Sequence, residues 1–291
     1  MVTLHACMKD HPSLFSQLPV HAAPSARFRP FRTAVWTENK AQLIARYLLY
    51  FVYVTKHGTY IDGFAAPKQP DKPESWAAEL VLNNEPKWMR EFFLCEMKEG
   101  RAKYLHELRD RQSRKPKRRI EVLEGDFNKK VQDILLSGVI TENKAAFCLL
   151  DQFTCQCEWS TLISLAKHKQ EGNKIELFYF LATGWVDRAL KGFSRNPQIP
   201  ERWWGKPNWR TLINMNGYQR AQLFCDRFKS ELGYIYADAY PIYKRGGGGR
   251  VMFHMIHATD HPEAPVLMQR AYRTVTKRPE TAEQLAMEFG T

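Results

Sequence analysis

From residue 58 onward, apolar residues recur in short continuous runs separated by amphipathic stretches. "TYIDGF", "EFFLCEM", "IEVLEGDF", "AAFCLLDQF" and "IELFYFLAT" are the runs, and "KEGRAKYLHELRDR", "NKKVQDILLSGV" and "EWSTLISLAKHKQ" between them carry helical spacing. Successive rather than alternate apolar positions leave both faces of each strand in need of cover, which predicts an α/β fold with a mostly parallel, doubly wound sheet. Ahead of the runs, "ENKAQLIARYLLYFVYVTK" predicts a helix with Thr37 as its N-cap and Gly58 as its stop. Residues 1–35, rich in Pro, Ala, His and Arg, read as an irregular lead-in. Toward the end, "GYIYADAYPIYKRGGGGRVMFHMIHAT" reads as two strands joined by a glycine-rich turn, hence antiparallel. The domain is expected over residues 36–273, with a Trp/Arg-rich insertion at 192–215. In the tail, 274–291, Thr281 and Gln284 form a capping box for a short helix.

At 291 residues and 44% apolar composition the chain can bury the core of one large domain. A formal charge of +12 raises the local concentration of the protein near polyanions, nucleic acid first among them, although an indifferent basic surface gives the same total. The densest run, "RQSRKPKRR" (111–119), is either a solvated loop or a phosphate-backbone contact. "KRGGGGR" (244–250) lacks the lysine followed by Ser or Thr of a phosphate loop and reads as a hairpin tip. The six cysteines are irregularly spread, several of them in apolar runs, so reduced thiols are expected. Neither a signal-peptide pattern nor a run of membrane-spanning length occurs, so the expectation is a cytoplasmic protein with no membrane contact.

Ligands of open parallel sheets sit beyond the carboxyl ends of the strands. Asp62, Glu96, Asp126 and Asp151 close four successive runs. Each either caps the helix that follows or faces a shared crevice. An acid after the second strand suits both hydroxyls of a cofactor ribose, and Glu96 holds that position. Cys155 and Cys157 form a C-x-C pair with no second ligand pair nearby, which favours structural thiols over a metal site. His257, Asp260 and His261 in "HATDHP" are either metal ligands or ordinary loop chemistry, and no metal is assigned.

A parallel sheet finished by an antiparallel hairpin is the Rossmann-like layout of class I methyltransferases, where a dinucleotide-binding dehydrogenase would carry another parallel unit. "YIDGFAAP", "FFLCEM", "EGDFN", "LLDQF" with its later Trp, and "MIHATDHPEAPVLM" resemble, in order and spacing, the three-Cys-motif partner proteins, from about Trp36 to Arg273. The resemblance implies an S-adenosylmethionine-dependent methyltransferase domain and a separate cysteine-motif protein as partner. It sets the cofactor against Asp62, Gly63, Phe64, Ala65 and Ala66, with Glu96, Asp126 and Phe127. The family continues Phe-Ala-Gly-Pro-Gly where this chain has Ala66 and Lys68, which narrows the pocket or alters the turn. Base-amino methyltransferases resemble one another in an acidic or amide residue, a proline and an aromatic. Here Asp151, Gln152 and Phe153 stand there, so Asp151 would accept from an exocyclic amine while Phe153 stacks on the base.

The insertion interleaves tryptophans with arginines, a composition suited either to stacking on unpaired bases or to pinning a loop onto the core. Arg202, Trp203 and Trp204 are the substrate-binding residues expected from it, joined by Trp185 in the preceding "ATGWVDRAL", which lies near the mouth of the same cleft if the fifth strand ends at Thr183. The reading is therefore a methyltransferase that uses S-adenosylmethionine and acts on nucleic acid, RNA or DNA. Its rival is a binding or partner protein that keeps the fold without catalysis, for which Ala66, Lys68 and Gln152 speak. A Rossmann-like enzyme using NAD or ATP ranks last, because the glycine fingerprint is missing.

Overall fold

In the computed structural model, residues 35–36, 39–112, 118–243 and 250–276 are described. The lead-in, the glycine-rich turn, the tail helix and the middle of the 111–119 basic run lie outside them. The strands are β1 (Val35–Trp36), β2 (Gly58–Asp62), β3 (Met89–Glu96), β4 (Arg119–Glu124), β5 (Ala146–Leu150), β6 (Glu176–Leu181), β7 (Tyr236–Tyr243) and β8 (Val251–Thr259). They form one sheet in the order β1-β7-β8-β6-β5-β2-β3-β4. Strands β4, β3, β2, β5 and β6 are parallel, and β8 runs antiparallel between β6 and β7. The α/β, Rossmann-like class read from the sequence therefore holds, closing hairpin included. The short β1, at the end of the expected irregular lead-in, adds a parallel edge to β7.

The nine helices among the described residues are α1 (Lys40–Thr55), α2 (Ala77–Asn83), α3 (Glu99–Arg111), α4 (Phe127–Leu135), α5 (Trp159–Lys167), α6 (Val186–Gly192), α7 (Gln198–Trp204), α8 (Gly217–Ser230) and α9 (Ala264–Thr276). Every residue of β2, β5 and β6 is buried, while the edge strand β4 is mostly half-exposed. Alternation within the central strands feeds two cores. Ile61, Phe93, Cys148, Leu177 and Tyr179 join the core built with α4, α5, α7 and α8. On the other face, Phe147 and Phe178 meet rings of α1, with Tyr47 4.8 Å from Phe178 and Phe51 6.2 Å from Phe147, and Tyr60 stacks on Phe147.

Two boundaries differ from expectation. Helix α1 begins at Lys40 after Asn39, so Thr37 is not its N-cap. It ends in Lys56, whose left-handed φ of 60° turns the chain before Gly58 opens β2. The helices α2, α6, α7, α8 and α9 carried no prediction; α8 opens on a capping box of Asn216 and Gln219.

Candidate functional site

Because the five parallel strands point one way, their final residues share one edge, and β8 starts from that same edge. Asp62 is buried at the end of β2, where it accepts from Tyr60 Oη at 2.9 Å and from the Phe64 N–H at 3.1 Å. Burial pushes its carboxyl up to about 7 against those two donors. Glu96, buried at the end of β3, accepts from the Lys98 N–H at 3.0 Å and lies 3.6 Å from Arg101 Nη1. Asp126 caps α4, accepting from the Asn128 N–H at 3.0 Å and from Asn128 Nδ2 at 2.9 Å, so for this acid the helix-cap reading applies. The Cys95 thiol nearby is pushed up to about 12 by burial first and then by the charges of these three acids.

The segment after β2 is bound to its surroundings at both backbone and side chain. Gly63 N–H donates to the Leu149 carbonyl at 3.0 Å and Ala65 N–H to the Cys95 carbonyl at 2.8 Å. Trp76 Nε1 donates to the Ala65 carbonyl at 2.7 Å, and Arg101 Nη2 to the carbonyls of Ala66 and Pro67 at 2.9 and 3.0 Å. Gly63 is required by contact: a Cβ there would lie 2.8 Å from the Phe127 ring. That contact corrects one expectation. Phe127 is buried against this turn, and its ring supports the loop from beneath instead of lining an open crevice.

Asp151, just beyond β5, is held by cations. Lys40 Nζ lies 2.5 Å from both its oxygens and Lys68 Nζ 3.5 Å from Oδ2. The Lys40 ammonium also sits 4.5 Å and 4.6 Å from the ring centroids of Phe180 and Phe253. Burial lowers the Lys40 pKa to about 8, the Asp151 charge opposing. Asp151 is held below the usual carboxylate range: its burial acts in the opposite direction, and the attraction of Lys40 and then Lys68 outweighs it. Gln152 takes over the order that proline would give. Its Oε1 accepts from the N–H groups of Gln156 and Cys157, both at 2.9 Å, and Gln156 Oε1 accepts from the Phe153 N–H at 2.8 Å.

Phe153 is 62% exposed beside this loop. Its ring lies 5.3 Å from Trp185, whose Nε1 donates to the Phe153 carbonyl at 3.0 Å and whose ring meets Phe253 edge-on at 4.9 Å. Phe153 and Trp185 are thus brought together beside Asp151. The rest of the expected substrate set is not. Trp203 and Trp204 are buried, 1% and 3% exposed, and belong to the core. Trp203 Nε1 donates to Tyr179 Oη at 2.6 Å, and Trp204 shares the Arg227 guanidinium with Trp159, at 3.8 and 3.7 Å. Their faces are covered, so neither stacks on a base. Gly205, with φ of 76°, turns the chain against Trp159, which a Cβ there would strike at 2.6 Å. Arg202 stays exposed, 3.2 Å from Glu158.

Cys155 and Cys157 are buried free thiols, as are Cys95, Cys148 and Cys225. His257 pairs with Glu176 at 2.8 Å and Asp260 with Lys174 at 3.1 Å, and among the described residues no group of three or more His, Cys, Asp and Glu is placed to hold a metal. The described ends of the basic run turn inward or pair locally: Arg118 donates to the carbonyls of Met89 and Leu82, and Arg119 lies 2.6 Å from Glu121. No described helix is long and apolar enough to cross a membrane.

Fold and site together define a Rossmann-like α/β protein with carboxylates at four adjacent strand ends and a lysine-clamped aspartate beside the exposed Phe153 and the half-buried Trp185. No family model matches the chain, and no curated protein matches it. Among solved structures it is similar to the Legionella pneumophila protein LPL1258, at 9% identity over 84% of this chain and 92% of that chain, with a TM-score of 0.45. At that distance the likeness carries no argument about the site.

Proposed function

We propose that the chain is an S-adenosylmethionine-dependent methyltransferase acting on a nucleic-acid base. One observation carries the reading: β8 lies antiparallel between β6 and β7, at one side of a parallel sheet whose strands β4, β3, β2 and β5 are followed by Asp126, Glu96, Asp62 and Asp151. Glu96 would accept the ribose hydroxyls in place of its contact with Arg101, which is 38% exposed. Asp62, Phe64 and the backbone of Gly63, Ala65 and Ala66 would border the methionine end. When bound, the cofactor supplies an electrophilic methyl group on its sulfonium. Asp151 would accept a hydrogen bond from the acceptor amine while Phe153 and Trp185 hold the base by stacking. The lysines keep Asp151 ionised, hence a good acceptor and a poor base, which fits catalysis by positioning. The resemblance to three-Cys-motif partner proteins adds a separate cysteine-motif protein as proposed partner.

A second reading, a methyltransferase-fold binding protein without catalysis, is favoured by Lys68 reaching Asp151 and by Arg101 tying Glu96 to the loop at Ala66 and Pro67. Calorimetry of the full chain with S-adenosylmethionine and S-adenosylhomocysteine separates the two. The first reading expects binding that Glu96→Gln weakens by about ten- to a hundredfold, the range of a charge-assisted hydrogen bond. Absence of binding by folded protein that still retains RNA or DNA decides for the second.

A further inference from the structure

At the opposite edge of the sheet, by the amino ends of β5 and β6, helices α1 and α9 and two loops line a half-open cavity of about 200 Å³. That is far above the roughly 15 Å³ one water needs. Phe51, Val54, Ala146, Ala264 and Leu267 make its apolar wall. Lys169 lines it while only 7% exposed. The Lys169 ammonium donates to the carbonyl oxygens of Lys144 and Glu142, and no carboxylate lies within 4.0 Å of it among the described residues. Glu142 offsets the Lys169 charge only from beyond contact distance, whereas buried charges are ordinarily paired directly.

The acids that face the cavity are committed elsewhere. Glu176 accepts from Tyr47 Oη, from His257 Nε2 at 2.8 Å and from Thr259 Oγ1 at 3.2 Å. Glu142 lies at the surface and accepts from the N–H groups of Gln170 and Glu171. Lys174 is neutralised by Asp260. At His57, also on the wall, burial and then the charges of Lys144, Lys169 and Arg90 all oppose protonation, so the field there is positive.

We propose that this cavity binds a small organic anion, a carboxylate or phosphate monoester on a short apolar body, with the anionic group paired to Lys169 and the body against Phe51, Val54 and Leu267. The site is separate from the carboxylate row and does not depend on the methyltransferase reading. The test uses the full chain, titrated by calorimetry and by histidine-resolved NMR with benzoate, phenyl phosphate and neutral benzyl alcohol. At least one of the anions should bind one to one and move the His57 resonances, and the stronger of the two identifies the anionic group. Lys169→Met should weaken that anion by about tenfold or more, as loss of a charge-assisted contact does, with the melting temperature kept or raised. Val54→Phe, which fills the cavity from a half-buried position, should weaken binding with every charge left in place. Failure of both anions to bind, undiminished binding to both variants, or equal binding of benzyl alcohol overturns the proposal.

Discussion

Lys40→Met tests the ion pair on which the candidate site turns. Lys40 and Asp151 are 10% and 17% exposed at their side chains and 2.5 Å apart. Even so, burial outweighs the attraction and lowers the Lys40 pKa from 10.5 to about 8. At 1.36 kcal/mol per unit, keeping that ammonium charged costs the native state about 3 kcal/mol relative to an unfolded lysine. Between about pH 8 and pH 10.5 the unfolded chain holds a proton that the native protein has released. Stability from this group therefore rises with pH by about 3 kcal/mol across that window and is flat below it. Lys40→Met removes the slope. At pH 7 the variant also leaves Asp151 with Lys68 alone, which is 56% exposed and 3.5 Å away. Breaking a buried pair from one side costs about 3–5 kcal/mol, and Lys68 holds the cost near the lower end. Lys40→Met combined with Asp151→Leu should recover most of it, because no charge is then stranded. Urea unfolding followed by tryptophan fluorescence, for the wild type and both variants at pH 7 to 10.5, gives each quantity as a difference. A Lys40→Met cost below about 1 kcal/mol at pH 7, together with an unchanged slope, refutes the reasoning.

Asp62, raised to about 7 from 3.8, gives the opposite pH dependence. The native protein keeps a proton there that the unfolded chain has lost, so stability falls by about 4 kcal/mol as pH rises from about 4 to 7. Asp62→Asn should flatten that fall in unfolding measurements, and a difference from wild type that does not vary with pH counts against the shift. Trp204→Ala should cost about 3–5 kcal/mol while single-stranded oligonucleotide affinity stays as it is. Phe153→Ala should change stability by less than about 0.5 kcal/mol and weaken that binding by about 1–3 kcal/mol, and a Trp204 effect on affinity in well-folded protein would restore the insertion as a base-stacking surface. Gln152→Ala strands the buried N–H of Cys157 and the half-buried N–H of Gln156 and should cost about 1–3 kcal/mol. Hydrogen exchange at the amides of Gln156 and Cys157 should then speed up, and unchanged protection there means the loop is held by something else.

The sheet was legible in the chain because its signal is local. Runs such as "AAFCLLDQF" and "IELFYFLAT" are apolar at successive positions, which only a strand covered on both faces can use, and β5 and β6 are buried at every residue. The acids after those runs were legible for the same reason: a parallel sheet brings residues that end successive strands to one edge. Helix caps were less so. Thr37 and Asn39 offer comparable N-cap chemistry, and α1 begins after Asn39.

The partners of those acids could not be read from the sequence. Lys40 and Asp151 are separated by 111 positions and meet only because α1 packs across the sheet near the end of β5. Lys68 is visible as a departure from the glycine of the family pattern, yet its reach to Asp151 follows from the path of a loop that Trp76 and Arg101 fix from outside. Composition was equally silent on which tryptophans are core. Trp185, Trp203 and Trp204 lie in one aromatic and basic stretch, but α7 turns Trp203 and Trp204 onto Tyr179 and Phe224 while Trp185 remains beside Phe153. Hydrophobic periodicity and strand-end acids depend on neighbours in sequence, so the chain alone determined the layers, the sheet and the edge where chemistry would gather. Charge pairing, pKa and exposure depend on neighbours in space, so only the tertiary structure decided that Asp151 is clamped by two lysines and that the tryptophans of the insertion are core.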